Sequence, residues 1–144
     1  MIIKVSEETA KKVATFDMEG HENGFLIELF KDGRKTVAYL SCAKPGAFKG
    51  YHLHRVRAAR YLCLKGKMKI ILYIHGRREE HILTPQNLKR LYIPHNVPTG
   101  LQNIGIEDGW LINYPDPPYD PGLRDEQIDF TQEEIESGEY LKKL

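Results

Sequence analysis

Lys49-Gly50-Tyr51-His52-Leu53-His54, running on to Leu64-Lys65-Gly66-Lys67, is the stretch that decides the fold. Side chains on a strand alternate with period two, so His52 and His54 share a face if this stretch is extended. Leu64-Lys65-Gly66-Lys67 is then a turn signal between two apolar strands, 60–64 and 67–74. A His-x-His strand leading into a glycine turn is one way for a small β-barrel to set paired imidazoles in its mouth. A surface hairpin with two incidental histidines is the competing reading.

The rest of the chain repeats the strand-and-turn rhythm. Residues 25–30 form an apolar run ended by Lys31-Asp32-Gly33-Arg34, whose Asp-Gly pair favours a hairpin turn. Residues 36–42 follow, closed by Lys44-Pro45-Gly46. After the histidine strand come His75-Gly76-Arg77-Arg78 as a turn, a strand over 80–84, and residues 89–93 leading to a corner at 94–98. Residues 100–104 and 109–114 complete the set, with 2–5 as a short edge strand and 6–12 as a helical turn. About nine or ten short strands, with turn signals every 8–12 residues or so, predict an all-β sandwich or barrel.

The tail differs. Asp116-Pro117-Pro118-Tyr119-Asp120-Pro121-Gly122 cannot continue a central strand, because its prolines lack amide donors. Thr131-Gln132-Glu133-Glu134 has the form of a capping box and predicts a short C-terminal helix. The expected organisation is one domain over 1–144, a barrel over about 24–115 and a tail with helix over 116–144.

Charge excludes some partners. Lys+Arg 21 against Asp+Glu 20 leaves a net +1 over 144 residues, so no overall field favours nucleic acid or membrane. Basic residues do gather around the histidines: Lys49, Arg55, Arg57, Arg60, Lys65, Lys67 and Lys69. That cluster fits an anionic small molecule, or else a solvated basic face. Two cysteines, Cys42 and Cys63, form no disulfide framework or zinc motif, and Cys63 reads as a small buried hydrophobe. His81 and His95 lie outside the motif and read as surface residues. With no signal-peptide pattern and no membrane-length segment, a cytoplasmic protein is expected.

On these residues the chain resembles a cupin. The first cupin motif is His-x-His, four residues, Glu, six residues, Gly; here it meets His52, His54, Ala59 and Gly66. The second is Pro-x-Gly, two residues, His, three residues, Asn; here it meets Pro94, Asn96, Thr99 and Asn103. Two of the four metal ligands are therefore absent, and two imidazoles alone do not complete a protein metal site. Over about 36–129 the chain is similar to metal-independent cupins of the nucleotide-sugar modifying branch. Within it the resemblance is to dTDP-4-dehydrorhamnose 3,5-epimerases and dTDP-4-keto-6-deoxyglucose 3,4-ketoisomerases. The epimerases have Arg-Gly-x-His where this chain has Lys49-Gly50-Tyr51-His52, and the ketoisomerases have His-x-His and a basic residue, as in His52-Leu53-His54-Arg55.

The resemblance implies a jelly-roll barrel with a short C-terminal helix, no cofactor or metal, a nucleotide-sugar substrate and a homodimer. It implies proton abstraction next to the ketone of a dTDP-4-keto-6-deoxy sugar, with 3,4-ketoisomerisation preferred to 3,5-epimerisation. His52 would be the base, His54 would relay the proton, and Tyr39 or Tyr114 would donate from another side. Lys49 would contact the diphosphate. Because epimerases place a lysine and ketoisomerases a glutamine where this chain has Ala59, Arg57 or Arg60 would supply the positive charge. Asn103 and Tyr119, the latter on a tail resembling one that crosses the barrel mouth, complete the expected substrate contacts. The epimerases' tyrosine acid aligns with Asn113, one residue before Tyr114. A non-catalytic sugar- or nucleotide-binding cupin and a metal cupin with unusual ligands are the alternatives.

Overall fold

A computed structural model describes residues 3–16, 20–27, 29–30, 38–117, 120 and 122–144. Among the described residues twelve strands run in order: β1 (Ser6–Thr9), β2 (Lys12–Phe16), β3 (Glu22–Ile27), β4 (Tyr39–Ala43), β5 (Phe48–His54), β6 (Ala59–Lys65), β7 (Met68–Ile74), β8 (Arg77–Leu83), β9 (Lys89–Ile93), β10 (Thr99–Asn103), β11 (Gly109–Asn113) and β12 (Gln127–Asp129). Helix α1 (Gln132–Ser137) and a 3₁₀ turn, Glu139–Lys143, end the chain.

Two five-stranded antiparallel sheets, ordered β1-β9-β6-β11-β4 and β12-β5-β10-β7-β8, make the double-sheet jelly roll expected of a cupin. β2 and β3 pair as a separate two-stranded ribbon. The turn through Gly66 carries the chain from one sheet to the other, since β6 pairs with β9 and β11 while β7 pairs with β8 and β10.

The main core lies between the sheets and includes Cys63, Met68, Ile70, Leu72, Leu91, Ile93 and Leu111. β7 is buried on both faces, which is why its sequence is a nearly continuous apolar run. Its outward residues Ile71 and Tyr73 join Tyr51, Leu53, Phe130, Ile135 and Tyr140 in a second core. The C-terminal segment thus covers the back of the sheet that holds β5. Thr131 caps α1 through the expected reciprocal box with Glu134, and Gly138 ends it at φ 80°. A third cluster, Ala10, Leu62 and Leu88, closes the outer face of β6.

The N-terminal reading needs correction. Residues 3–5 are not a strand, and the segment expected as a helical turn contains β1, which completes a sheet edge against β9. Backbone pairing along β9 outweighs the weak local helix signal. The hairpin turn expected at 31–34 lies outside the described residues. Among those described, no helix is long and apolar enough to cross a membrane.

Candidate active site

β5 carries the site, and a bulge arranges it. Thr99 on β10 pairs with His52 while Leu101 pairs with Lys49, so β5 takes three steps where β10 takes two. The extra residue turns Lys49, which strict alternation would set opposite His52, onto the same face. Gly50 makes this possible: its φ is +125°, and a Cβ there would lie 2.7 Å from the carbonyl oxygen of Thr99. Lys49, His52 and His54 all line a cavity of about 220 Å³. Tyr39 and Ser41 of β4, Ala59 and Tyr61 of β6, Leu111 and Asn113 of β11 and the corner Ile93-Pro94 line it too. Asn96, in the second motif's glycine place, takes the positive φ required there, 64°.

Each histidine is held by the segment around β12. Asp129 is the cross-strand partner of His52, and its Oδ1 lies 2.6 Å from His52 Nδ1. A carboxylate only accepts, so Nδ1 carries the hydrogen and Nε2 keeps its lone pair for the cavity. The hydrogen bond from His52, helped by one from Gln127 Nε2 at 3.0 Å, lowers the Asp129 pKa.

His54 sits in a different environment. Its Nδ1 is 2.9 Å from Arg57 Nη2 and 3.2 Å from Glu126 Oε2. Arg57 can only donate, and it is the closer neighbour, so we assign Nδ1 as the acceptor and Nε2 as the N–H. Burial and then the Arg57 charge lower the His54 pKa, outweighing the opposing pull of Glu126. Glu126 itself is 4% exposed and gripped by Arg57, from Nε at 2.8 Å, Nη2 at 3.1 Å and the backbone N–H at 3.1 Å. Burial alone would raise its pKa, but the hydrogen bonds and charge of Arg57 bring it down to about 2.

The other expected residues divide. Lys49 Nζ spans from β5 to β4, donating to Ser41 Oγ at 3.1 Å and to the Cys42 carbonyl at 2.6 Å. Tyr39 lines the cavity at β4 and is 40% exposed. Arg60 and Tyr114 do not line it. Ala59 and Tyr61 face inward, so alternation turns Arg60 outward, where its guanidinium lies 4.3 Å from the Tyr114 ring centroid and its Nε donates to the Tyr114 carbonyl. The register shift in β11 falls between Trp110 and Leu111, ahead of both Asn113 and Tyr114, and it is Asn113 that faces the cavity.

Asn103 is likewise spent elsewhere. It is 1% exposed, donates to the carbonyls of Ala43 and Glu107 and accepts from Gly105 N–H, bracing the turn at the far end of β10. Tyr119 lies outside the described residues. Asp129, Glu126 and Tyr61 escaped the sequence reading. The first two reach the histidines only through β12–β5 pairing across more than 70 residues, and Tyr61 looked like part of an apolar run. Among the described residues, no group of three or more His, Cys, Asp or Glu side chains converges to hold a metal ion.

Known proteins resemble the chain along most of its length. The "Probable low-salt glycan biosynthesis epimerase Agl13" of Haloferax volcanii is 25% identical over 81% of this chain and 83% of its own. A dTDP sugar isomerase from Desulfovibrio desulfuricans G20 shares the fold with a TM-score of 0.74 and 20% identity, covering 89% of this chain and 84% of that one. So does the 3,4-ketoisomerase QdtA of Thermoanaerobacterium thermosaccharolyticum, solved as a histidine-to-asparagine mutant with TDP-4-keto-6-deoxyglucose, with a TM-score of 0.69, 20% identity, and coverage of 99% and 95%. The FdtA family, described as WxcM-like, C-terminal, matches residues 26–130. With the match spanning β5 to β12 and both histidines, the chain belongs to the FdtA (WxcM-like, C-terminal) family.

Proposed function

We propose that the protein is a nucleotide-sugar isomerase that abstracts a proton next to the ketone of a dTDP-4-keto-6-deoxy sugar, acting as a 3,4-ketoisomerase. The observation that carries this reading is the 2.6 Å contact between His52 Nδ1 and Asp129 Oδ1, which reserves Nε2 as a base on the cavity side. A carbonyl acidifies the hydrogens on neighbouring carbons, yet they remain weak acids, so the base needs help at the oxygen where charge develops.

His52 takes the C3 hydrogen as a proton, and the C–H electron pair becomes the C3–C4 double bond. The former carbonyl oxygen then carries the negative charge. His54, neutral and presenting Nε2–H, donates a hydrogen bond to that oxygen, which a protonated or lone-pair-only ring would do differently. Return of the proton to C4, with the O3 proton moving to O4, leaves the ketone at C3. Lys49 and Arg57 are the cations for the diphosphate side of the cavity, and Tyr39 is a donor at the β4 wall.

Support for isomerisation over 3,5-epimerisation comes from side. Epimerisation needs a proton donor on the opposite face of the sugar, and Tyr114, the residue expected there, is turned out of the cavity. His52 and His54, two positions apart on one strand face, serve removal and return on the same face. A homodimer remains part of this proposal through family resemblance, and sedimentation equilibrium tests it.

The test is deuterium wash-in with dTDP-4-keto-6-deoxyglucose in D₂O, followed by NMR, with His52→Asn alongside. Exchange at C3 and C4 that the variant abolishes is the expected result. Exchange at C5 would convert the reading to an epimerase. Saturable binding without exchange would leave a sugar-nucleotide-binding cupin.

A further inference from the structure

Tyr61 occupies a position in the cavity that none of the roles above uses. It lies on β6 two residues beyond Ala59, so both face inward, and both line the cavity that holds His52 and His54. Ala59 contributes only a methyl group there. Across the sheet Tyr61 pairs with Asn113 on one side and Leu91 on the other. Among the described residues its hydroxyl has no hydrogen-bond partner.

Tyr61 is partly buried, packed against the main core on one side and lining the cavity on the other, so its hydroxyl is left available to whatever fills the cavity. Its cross-strand neighbour Asn113 makes no hydrogen bond to it, and Asn113 Oδ1 accepts instead from the backbone N–H of Arg60 at 3.3 Å. What remains for the Tyr61 O–H is the content of the cavity. The group is kept in its donor form, since burial pushes its pKa up to about 12 against the opposing influence of Arg57. A neutral phenol set among apolar side chains gains strength as a donor when negative charge develops on its acceptor, and carries no charge of its own into the ground state.

We propose that Tyr61 is a catalytic hydrogen-bond donor to the oxyanion of the enediolate, acting from the β6 wall opposite the histidine strand. This rests on the isomerase reading given above and adds its second oxyanion donor, beside His54. The neighbours of Tyr61 in the lining, Ala59, Ile93, Val97, Leu101 and Leu111, offer no polar side chain to the sugar.

The experiment compares wild-type protein with Tyr61→Phe, which keeps the ring and removes one oxygen. Steady-state turnover of dTDP-4-keto-6-deoxyglucose and the rate of C3 exchange in D₂O are read together. The expected result is a kcat about 10²-fold lower with KM within about two-fold, the pattern of a donor that acts mainly on the transition state. In parallel, the ¹³Cζ resonance of Tyr61 in wild-type protein is followed as the nucleotide sugar is added, and it should move on saturation. Turnover by Tyr61→Phe within about two-fold of wild type, a rise in KM alone, or an unmoved ¹³Cζ signal would each overturn the donor role and leave the isomerase reading intact. Wild-type protein that leaves C3 unexchanged would overturn the isomerase reading, and the donor role with it.

Discussion

His52 and Asp129 are direct cross-strand partners, and their side chains meet at 2.6 Å on the face of β5 that looks into the cavity. Cross-strand pairs in an antiparallel ladder sit close enough for side chains to bond without reaching. The dyad's alignment is therefore a property of β12–β5 register rather than of a flexible loop. It also explains why the imidazole can be half-exposed, at 43%, and still be held in one tautomer.

The first prediction follows from that dyad. His52→Asn should remove the base and lower kcat by about 10²–10⁴-fold, the usual range for a positioned general base. Asp129→Asn keeps the backbone pairing but no longer requires Nδ1–H, so its loss should fall in the lower part of that range. Both variants should retain the wild-type melting temperature within a few degrees, because Asp129 is 70% exposed and contributes little burial. Stopped or steady-state isomerisation assays alongside thermal melts decide it; an Asp129→Asn variant with full activity would remove the carboxylate from the mechanism.

The second prediction concerns acid. Glu126 has its pKa brought from 4.5 down to about 2 in the folded protein, where burial is outweighed by the hydrogen bonds and charge of Arg57. A group depressed on folding stabilises the native state above its unfolded pKa and loses that contribution as pH falls through the folded value. The contribution, on the order of 3 kcal/mol, should therefore drain away between about pH 4.5 and pH 2. His54 has the same sign, since burial lowers its pKa from 6.5 and the unfolded chain takes up the proton first. Stability should start to fall below about pH 6.5 and fall again below 4.5. Urea midpoints measured at pH 7.5, 5.5 and 3.5 should decrease in that order, and Glu126→Gln should flatten the lower limb.

The same pair yields a third prediction, read by NMR rather than by stability. Glu126 opposes the lowering of the His54 pKa, while burial and Arg57 produce it. Replacing Glu126 with Gln removes the opposing charge, so the His54 imidazole should titrate at still lower pH than in wild type. Arg57→Gln should move it upward. ¹H–¹⁵N spectra of the imidazole nitrogens follow both, and they also report whether Nε2 carries the hydrogen in the neutral ring. A larger fall on Glu126→Gln than rise on Arg57→Gln would mean that Glu126, not Arg57, is the dominant neighbour, and shifts of the opposite sign would mean that neither charge acts directly on the ring.

Much of this was legible in sequence, and the reason is parity. His52 and His54 share a face because strands alternate, and the Gly66 turn and the Thr131 capping box announce themselves locally. Parity also explains the failures. Once Ala59 faces inward, Arg60 must face outward, and the same alternation gives Asn113 rather than Tyr114 to the cavity. Lys49 reaches the cavity only because a bulge at Gly50 breaks the alternation, which no local pattern reveals. Asp129 and Glu126 come from the far end of the chain, and Asn103 looks like a motif residue while its amide is consumed by backbone. Local signals gave the strand; long-range pairing chose its partners.

The last prediction tests how firmly the histidine strand is held from behind and beside. Tyr51, next to His52, is 1% exposed on the opposite face of β5, and its backbone exchanges hydrogen bonds with Phe130 at 2.9 and 3.2 Å. Its ring packs against Phe48, 5.2 Å between centroids, and both rings lie over Gly100 of β10. A Cβ at Gly100 would come 2.6 Å from Tyr51 Cε2 and 2.8 Å from Phe48 Cζ, so Gly100→Ala forces at least one ring to move. Overpacking of this kind costs about 1–3 kcal/mol. Ile135→Ala attacks the same core from α1 by leaving a void, at about 2–4 kcal/mol. The two should differ in activity at a temperature where both remain folded. Gly100→Ala displaces the strand carrying His52 and should lower kcat several-fold, whereas Ile135→Ala, two layers back, should lower the melting temperature and leave kcat near wild type. Equal losses of activity in both variants would mean that the C-terminal segment positions β5, rather than merely covering it.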